Sequence, residues 1–203
     1  MNSTVISFGT NYPITYRKNL NYTRKTCRRF NIPHYLWQID QVLFRRSGWL
    51  RKVLYKPTFI KEMLLGFDTP IVWIDADCRL LDQFELPEGD WDVGLIPHQI
   101  LRNRIHFTPW LSSFMVFRPT AQTKILLRDW EWLCQDHSRG EGDHERLMWA
   151  LNRVVKGILR VQNILPYLRG KVFLDPRHRK RTKLTYEEMP AELDNWYPEE
   201  VTK

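Results

Sequence analysis

Residues 70–81 read PIVWIDADCRLL. Ile71, Val72, Trp73 and Ile74 are apolar at every position, without alternation. A strand of that kind is covered on both faces, as the strands of a parallel sheet are. It ends in Asp75-Ala76-Asp77. Residues two apart on an extended chain point the same way, so two carboxylates are aimed together where the strand stops. They repel one another unless a cation or a shared proton intervenes. A hard divalent ion, Mg2+ or Mn2+, would satisfy them and leave positions for water and phosphate oxygens. The plain alternative is a hydrogen-bonded loop end. The pattern occurs a second time, as Asp90-Trp91-Asp92. That copy follows Pro87-Glu88-Gly89, a turn signal, and precedes a strand. It predicts a surface turn at the end of the sheet away from ligands.

Outward from this strand, strands alternate with helices. STVISFGT (3–10) predicts a buried strand ending in a turn, and a helix follows over about 15–30. Its inner stripe is Tyr16, Leu20, Thr23, Cys27 and Phe30. HYLWQI (34–39) predicts a second strand, and QVLFRRSGWLR (41–51) is ambiguous. Lys56 to Gly66 predicts a helix with Pro57 in its first turn and Phe59, Ile60, Met63 and Leu64 on one face. DVGLIP (92–97), SFMVFR (113–118) and KVFLD (171–175) predict further strands. A helix over about 120–137 turns Ile125, Leu126, Trp130, Leu133 and Cys134 inward. Another begins at Asp143 as its cap, carries Leu147, Met148, Leu151 and Val154, and stops at Gly157. The pattern predicts an α/β fold with a mostly parallel sheet, whose ligands bind outside the carboxyl ends of the strands. Residues 1–175 form one domain in this reading, and 176–203 a basic, charged extension, packed near the site or partly flexible.

The 203 residues carry a net charge of +8, unevenly distributed. Residues 1–56 hold eleven Lys/Arg against one acid, residues 57–101 two against nine, and residues 102–203 eighteen against thirteen. An acidic middle between basic ends suits a cation at the centre of a surface that attracts polyanions. Aromatic content of 13% supports a substantial core and argues against disorder. Three separated cysteines, Cys27, Cys78 and Cys134, form no CxxC pair and fit free thiols in a reducing compartment. The first residues hold no charged region with a long apolar run, and no stretch is apolar enough to span a bilayer. A cytoplasmic protein is expected.

Four stretches together carry a family resemblance. VISFGTNY resembles the first strand and nucleotide-facing turn of the GT-A glycosyltransferases, the nucleotide-diphospho-sugar transferase superfamily. KPTFIKEMLLGFDTPIVWIDADCRL resembles the helix and strand that lead to that family's Asp-x-Asp motif. WLSSFMVFRPT resembles the strand after its Asn-Ser-Gly type turn, here Ser112-Ser113-Phe114. GEGDHERLMWAL resembles the acidic loop and helix beside the reacting sugar, often written Asp-Gln. The resemblance covers about residues 4–155. It implies a GT-A type, Rossmann-like α/β/α sandwich and a hexosyl- or pentosyltransferase that uses a nucleotide sugar, a UDP-sugar above all, with Mn2+ or Mg2+.

Carried over residue by residue, the resemblance gives Asp75 and Asp77 to the metal, with Asp75 also near the ribose. His178 is the candidate third metal ligand, although the family's His-x-Gly context is absent. Ser7, Phe8, Gly9, Thr10 and Tyr12 would line the nucleoside pocket, with Asp40 near the base. Lys56 would reach the phosphates, or else be a solvated charge at a helix start. Ser112 and Ser113 fall at the family's turn, and His98 ends another strand facing the cleft. Asp143 holds the position of a general base or sugar-binding acid, with Glu141 as the fallback. His144 reads as an ordinary surface residue.

The acceptor is argued from charge. The basic face of the first helix, RRSGWLRK (45–52), LRNR (101–104) and RHRKRTK (177–183) favour a polyanion. Nucleic acid fits, with hydroxymethylated DNA as the hydroxyl-bearing form, and so does a phosphorylated glycolipid or lipopolysaccharide. Two other classes compete. A nucleotidyltransferase would show a Gly-rich, basic loop after the first strand, which FGTNYP lacks. A non-enzymatic nucleic-acid-binding protein would explain the charge but not the acidic pair.

Overall fold

The computed structural model describes residues 3–10, 14–39, 53–97, 110–136, 142–154, 158–168 and 170–173. The ambiguous segment 41–51, the expected stop at Gly157 and the extension 176–203 lie outside them.

The central sheet has six strands in the order β2-β1-β3-β6-β5-β7. They are β1 (Thr4–Thr10), β2 (His34–Ile39), β3 (Ile71–Ile74), β5 (Val93–Pro97), β6 (Trp110–Phe117) and β7 (Val161–Asn163). The β1–β2, β1–β3 and β5–β7 pairs are parallel, while β6 runs against both β3 and β5. The mostly parallel α/β sheet is as expected. β3 lies inside it and all four of its residues are buried, which is why it carries no polar alternation. Because β6 is antiparallel to β3, its amino-terminal half comes to lie where β3 ends, with Ile74 opposite Phe114.

Two apolar layers cover the sheet. On one face Ile6, Phe8, Ile71, Trp73, Met115 and Phe117 pack against three helices. These are α2 (Lys56–Leu65), α3 (Ala121–Gln135) and α4 (Asp143–Val154). On the other face Val5, Val72, Ile74, Phe114 and Val116 meet α1 (Ile14–Arg29) and the short α5 (Leu165–Leu168). α1 stops through Asn31 at φ 51°, in the left-handed region that Asn tolerates. Asn31 N donates to Arg28 O (3.2 Å) and Ile32 N to Cys27 O (2.7 Å), the two bonds of a Schellman end.

Several expectations change. β6 begins at Trp110, before Ser113. KVFLD does not join the main sheet: Val172–Phe173 (β8) pairs antiparallel with Arg79–Leu80 (β4) in a separate two-stranded sheet. β4, β7 and α5 are too short for periodicity to reveal. On α3 the inner stripe is Thr123, Leu126, Leu127, Trp130 and Cys134, while Ile125 is 40% exposed. Leu126, Trp130 and Cys134 are buried as expected and Leu133 packs half-buried against the core, so the difference is that Leu127 rather than Ile125 faces inward. Asp90-Trp91-Asp92 is not wholly a surface turn, since Asp92 and Trp91 are buried. Asp92 takes Arg160 N at 2.9 Å and Arg160 Nε and Nη2 at 3.1 Å, tying β5 to the chain entering β7.

The corrected stripe is testable by urea unfolding. Leu127→Ala is expected to cost about 2–5 kcal/mol, as core truncations do. Ile125→Ala should stay within about 0.5 kcal/mol, as surface changes do.

Candidate active site at the carboxyl end of the sheet

Residues 71, 73 and 75 share one face of β3 and its continuation. Trp73 therefore stands beside Asp75, and its indole Nε1 donates to Asp75 Oδ1 at 2.7 Å. Asp75 N donates to Ser113 O at 2.8 Å, which extends the β3–β6 pairing one step past the strand. That bond sets Ser112 and Asp75 at the same rim.

Lys56 joins them from α2. Its side chain is buried, and its Nζ lies 2.8 Å from Asp75 Oδ1, 2.6 Å from Asp143 Oδ2 and 3.2 Å from Ser112 O. It also sits 5.4 Å from the Trp73 ring centroid. Burial alone would lower the Lys56 pKa, but the carboxylates of Asp143 and Asp75 outweigh it and hold the ammonium above its ordinary value. Burial pushes the Asp75 carboxyl up to about 6. Lys56 pulls against that rise, while the like charges of Asp77 and Asp143 add to it.

Asp143 does not spend its side chain as a helix cap. It is the first residue of α4, and Glu145 Oε2 instead accepts from Gly142 N at 3.0 Å, the returning half of a capping box. Asp143 Oδ2 is thereby left for Lys56 and for the Ser112 hydroxyl, which donates to it at 3.2 Å. Trp130 Nε1 fixes the backbone at this point, donating to Asp143 O at 2.9 Å. His144, read as an ordinary surface residue, is half-buried, with Nδ1 3.3 Å from Ser112 Oγ. It follows Asp143 at a helix start, and that adjacency was the available signal.

The loop after β3 is braced from the other face by α1. Asn19 Nδ2 donates to Ala76 O at 3.1 Å, Asn19 Oδ1 accepts from Arg79 Nε at 2.6 Å, and Thr23 Oγ1 accepts from Leu80 N at 3.2 Å. Asn19 carried no sequence signal beyond its place on the helix. The neighbouring strand contributes by packing. Ser7 Oγ donates to Ile74 O at 2.5 Å, and Phe8 lies in a ring cluster with Tyr55, Phe59 and Trp73. A Cβ on Gly9 would come within 2.9 Å of Ala76 Cβ. Thr10 ends β1 by its backbone.

The structure thus gathers Lys56, Asp75, Ser112 and Asp143 into one cluster, with Asp77 two residues along the chain. Ser113 is buried, and its hydroxyl has no hydrogen-bond partner among the described residues. Tyr12, Asp40, His98, Glu141 and His178 lie outside the described residues. No group of three or more His, Cys, Asp or Glu placed to hold a metal occurs among the described residues. The donors present are nevertheless carboxylate oxygens, those a hard divalent ion takes. Asp75 Oδ2 has no partner among the described residues, since Lys56 and Trp73 both engage Oδ1.

Comparison with solved structures gives the same architecture. The chain is similar to a glycosyltransferase involved in the glycosylation of the major capsid of PBCV-1, with a TM-score of 0.58 and 11% identity over 81% of this chain and 82% of that one. It also resembles the glycosyltransferase GlyE of Streptococcus pneumoniae TIGR4, with a TM-score of 0.48 and 11% identity, covering 83% of this chain but 47% of that one. A Drosophila β-1,4-galactosyltransferase 7, in complex with manganese, UDP-Gal and xylobiose, scores 0.49 at 11% identity over 100% of this chain and 82% of that one. No family model and no curated protein matches the chain. The first of these, the one with a TM-score above 0.5, shares the GT-A-like fold of this chain.

Removing the buried ammonium should strand two carboxylates. Lys56→Met is expected to lose about 3–5 kcal/mol of unfolding free energy, read by urea denaturation. Adding Asp75→Asn and Asp143→Asn should recover part of that loss, and no recovery would mean that Lys56 acts by packing alone.

Proposed function

We propose that the chain is a metal-dependent glycosyltransferase that moves a sugar from a nucleotide-diphosphate sugar, most simply a UDP-sugar, to an acceptor hydroxyl. The observation that carries this reading is the Lys56-bridged pair of Asp75 and Asp143 at the carboxyl end of a GT-A-like sheet. Asp75 and Asp77 are the residues to hold Mn2+ or Mg2+, with His178 as the third candidate ligand. Bound there, the ion would neutralise charge on the departing nucleoside diphosphate.

The chain's own groups divide the remaining work. Asp143, at the positive end of α4, either takes the acceptor proton or binds the sugar, and Glu141 stands two residues before it. Lys56 serves as an internal counter-charge to both acids, because its Nζ is already engaged by three protein oxygens. Gly9, Thr10, Tyr12 and Asp40 remain the proposed nucleoside-side residues.

The acceptor in this reading is polyanionic. The exposed Arg17, Lys25 and Arg28 of α1 add to the basic segments of the sequence. Hydroxymethylated DNA is the first acceptor to test, and phosphorylated glycolipid is its competitor. Among the described residues no helix is long and apolar enough to cross a membrane.

With Mn2+ and a panel of nucleotide sugars, the chain is expected to release nucleoside diphosphate. A chelator should abolish that release, and Asp77→Ala should lower it by more than about 100-fold. Asp143→Asn is expected to cost about 10²–10⁴-fold. Release of pyrophosphate from a nucleoside triphosphate and a sugar phosphate would replace this reading with a nucleotidyltransferase. Salt-sensitive DNA binding without any turnover would remove the enzyme reading altogether. For the acceptor, labelled sugar should transfer to hydroxymethylated DNA and not to unmodified DNA; transfer to lipid extract alone would overturn the nucleic-acid choice.

A further inference from the structure

The two bridged carboxylates are built alike. Lys56 Nζ engages one oxygen of each, Oδ1 of Asp75 and Oδ2 of Asp143. On each acid a second donor reaches the same oxygen. Trp73 Nε1 donates to Asp75 Oδ1 at 2.7 Å, and Ser112 Oγ donates to Asp143 Oδ2 at 3.2 Å. Among the described residues, Asp75 Oδ2 and Asp143 Oδ1 have no partner.

One donor on a carboxylate oxygen leaves the group free to turn about its Cβ–Cγ bond, whose torsional profile is broad. Two donors converging on one oxygen from different directions remove that freedom. Trp73 approaches from within β3, two residues before Asp75, while Lys56 approaches from α2. Ser112 approaches Asp143 from β6 while its own carbonyl accepts from Lys56 at 3.2 Å. The Ser112 hydroxyl has a single proton, given to Asp143. The 3.3 Å contact with His144 is then a donation from Nδ1–H to Ser112 Oγ, a tautomer assigned from the network. His144 thereby keeps the hydroxyl aimed at Asp143.

We propose that Trp73 and Ser112 are positioning residues for the transfer reaction proposed above. Each locks the rotation of one carboxylate, so that Asp75 offers Oδ2 to the cation, which would in turn meet the diphosphate, while Asp143 offers Oδ1 to the sugar or acceptor hydroxyl. The inference rests on the transferase reading and divides the cluster into two halves. The Trp73–Asp75 half governs ion and diphosphate binding. The His144–Ser112–Asp143 half governs the rate of the bound complex. Lys56 is the part common to both.

The test separates the halves. Mn2+ affinity is measured in the presence of UDP by the electron spin resonance of free Mn2+, and kcat and KM for the donor at saturating Mn2+. Replacing Trp73 by Phe, or by benzothienylalanine, which keeps the indole shape without the N–H, is expected to weaken Mn2+ binding about 10-fold. The kcat at saturating Mn2+ should stay close to that of the unsubstituted chain. Ser112→Ala should do the reverse, lowering kcat about 10-fold with Mn2+ affinity unchanged. Ser112→Thr, which retains a hydroxyl, should regain the rate. Phe117→Leu, a core change elsewhere in β6, should alter neither quantity more than about twofold if positioning rather than general stability is at work. Unchanged Mn2+ affinity in both Trp73 variants overturns the Asp75 half. An unchanged rate in Ser112→Ala, or a threonine variant as slow as alanine, overturns the Asp143 half. If the unsubstituted chain neither binds Mn2+ with UDP nor releases nucleoside diphosphate, the transferase reading fails and takes the inference with it.

Discussion

A lysine ammonium taken out of water must find acceptors, and Lys56 finds them on three separate elements. Its position is locally unfavourable, because it opens α2, where the helix dipole repels positive charge, and no acid sits in that helix's first turn to offset it. The compensation is entirely tertiary. One carboxylate comes from the end of β3, another from the start of α4, and a carbonyl from β6. The electrostatic debt of one helix terminus thereby fastens four elements together. The same contacts keep two like-charged carboxylates side by side in a place where they would otherwise repel.

The geometry depends in turn on the one reversed strand. Were β6 parallel to β3, its amino-terminal residues would lie at the opposite rim, and Ser112 could not meet Asp143 or the Lys56 ammonium. Reversal places the start of β6 and the finish of β3 at a common edge, and the bond from Asp75 N to Ser113 O continues the ladder into the site. α1 supports the rim from the other face, through Asn19 and Thr23 on the backbone of residues 76 and 80. The cluster is therefore gripped from both layers of the sandwich, which suits a site that must keep its charges in register.

The parts legible in the sequence are those whose signal is local. Four consecutive apolar residues ending in Asp75 identified β3 and its placement, and Pro57 and Gly66 marked the two ends of α2. HYLWQI gave β2 to the residue. Periodicity identified α3 and most of its inner stripe but took Ile125 for Leu127, because the two are equally apolar and only packing against α2 and α4 distinguishes them. The partners of Lys56 were invisible for another reason. Asp75, Ser112 and Asp143 are distant from it in sequence; the resemblance assigns all four to one site, but nothing along the chain records that they touch. A lysine at a helix start reads locally as solvated, and the structure buries it. Asp92 is the converse case, a turn-like acid that a distant Arg160 draws into the interior. His144 reads as an ordinary surface residue because nothing beside it in the sequence engages it, and its contact with Ser112 exists only after β6 and α4 meet.

The contact between Gly9 and Ala76 sets a size limit on the first strand where it meets the acidic triplet. With only 2.9 Å between a Cβ at position 9 and the Ala76 methyl, the first strand and the acidic loop interlock like two teeth with no clearance. Any side chain at position 9 must displace the loop and Leu20, whose Cδ1 lies at the same 2.9 Å. Because Asn19 also holds Ala76 by its carbonyl, the loop has little room to yield. Position 9 is consequently held to glycine by the loop that carries both aspartates, and enlargement there would be tolerated only where Ala76 and Leu20 give way.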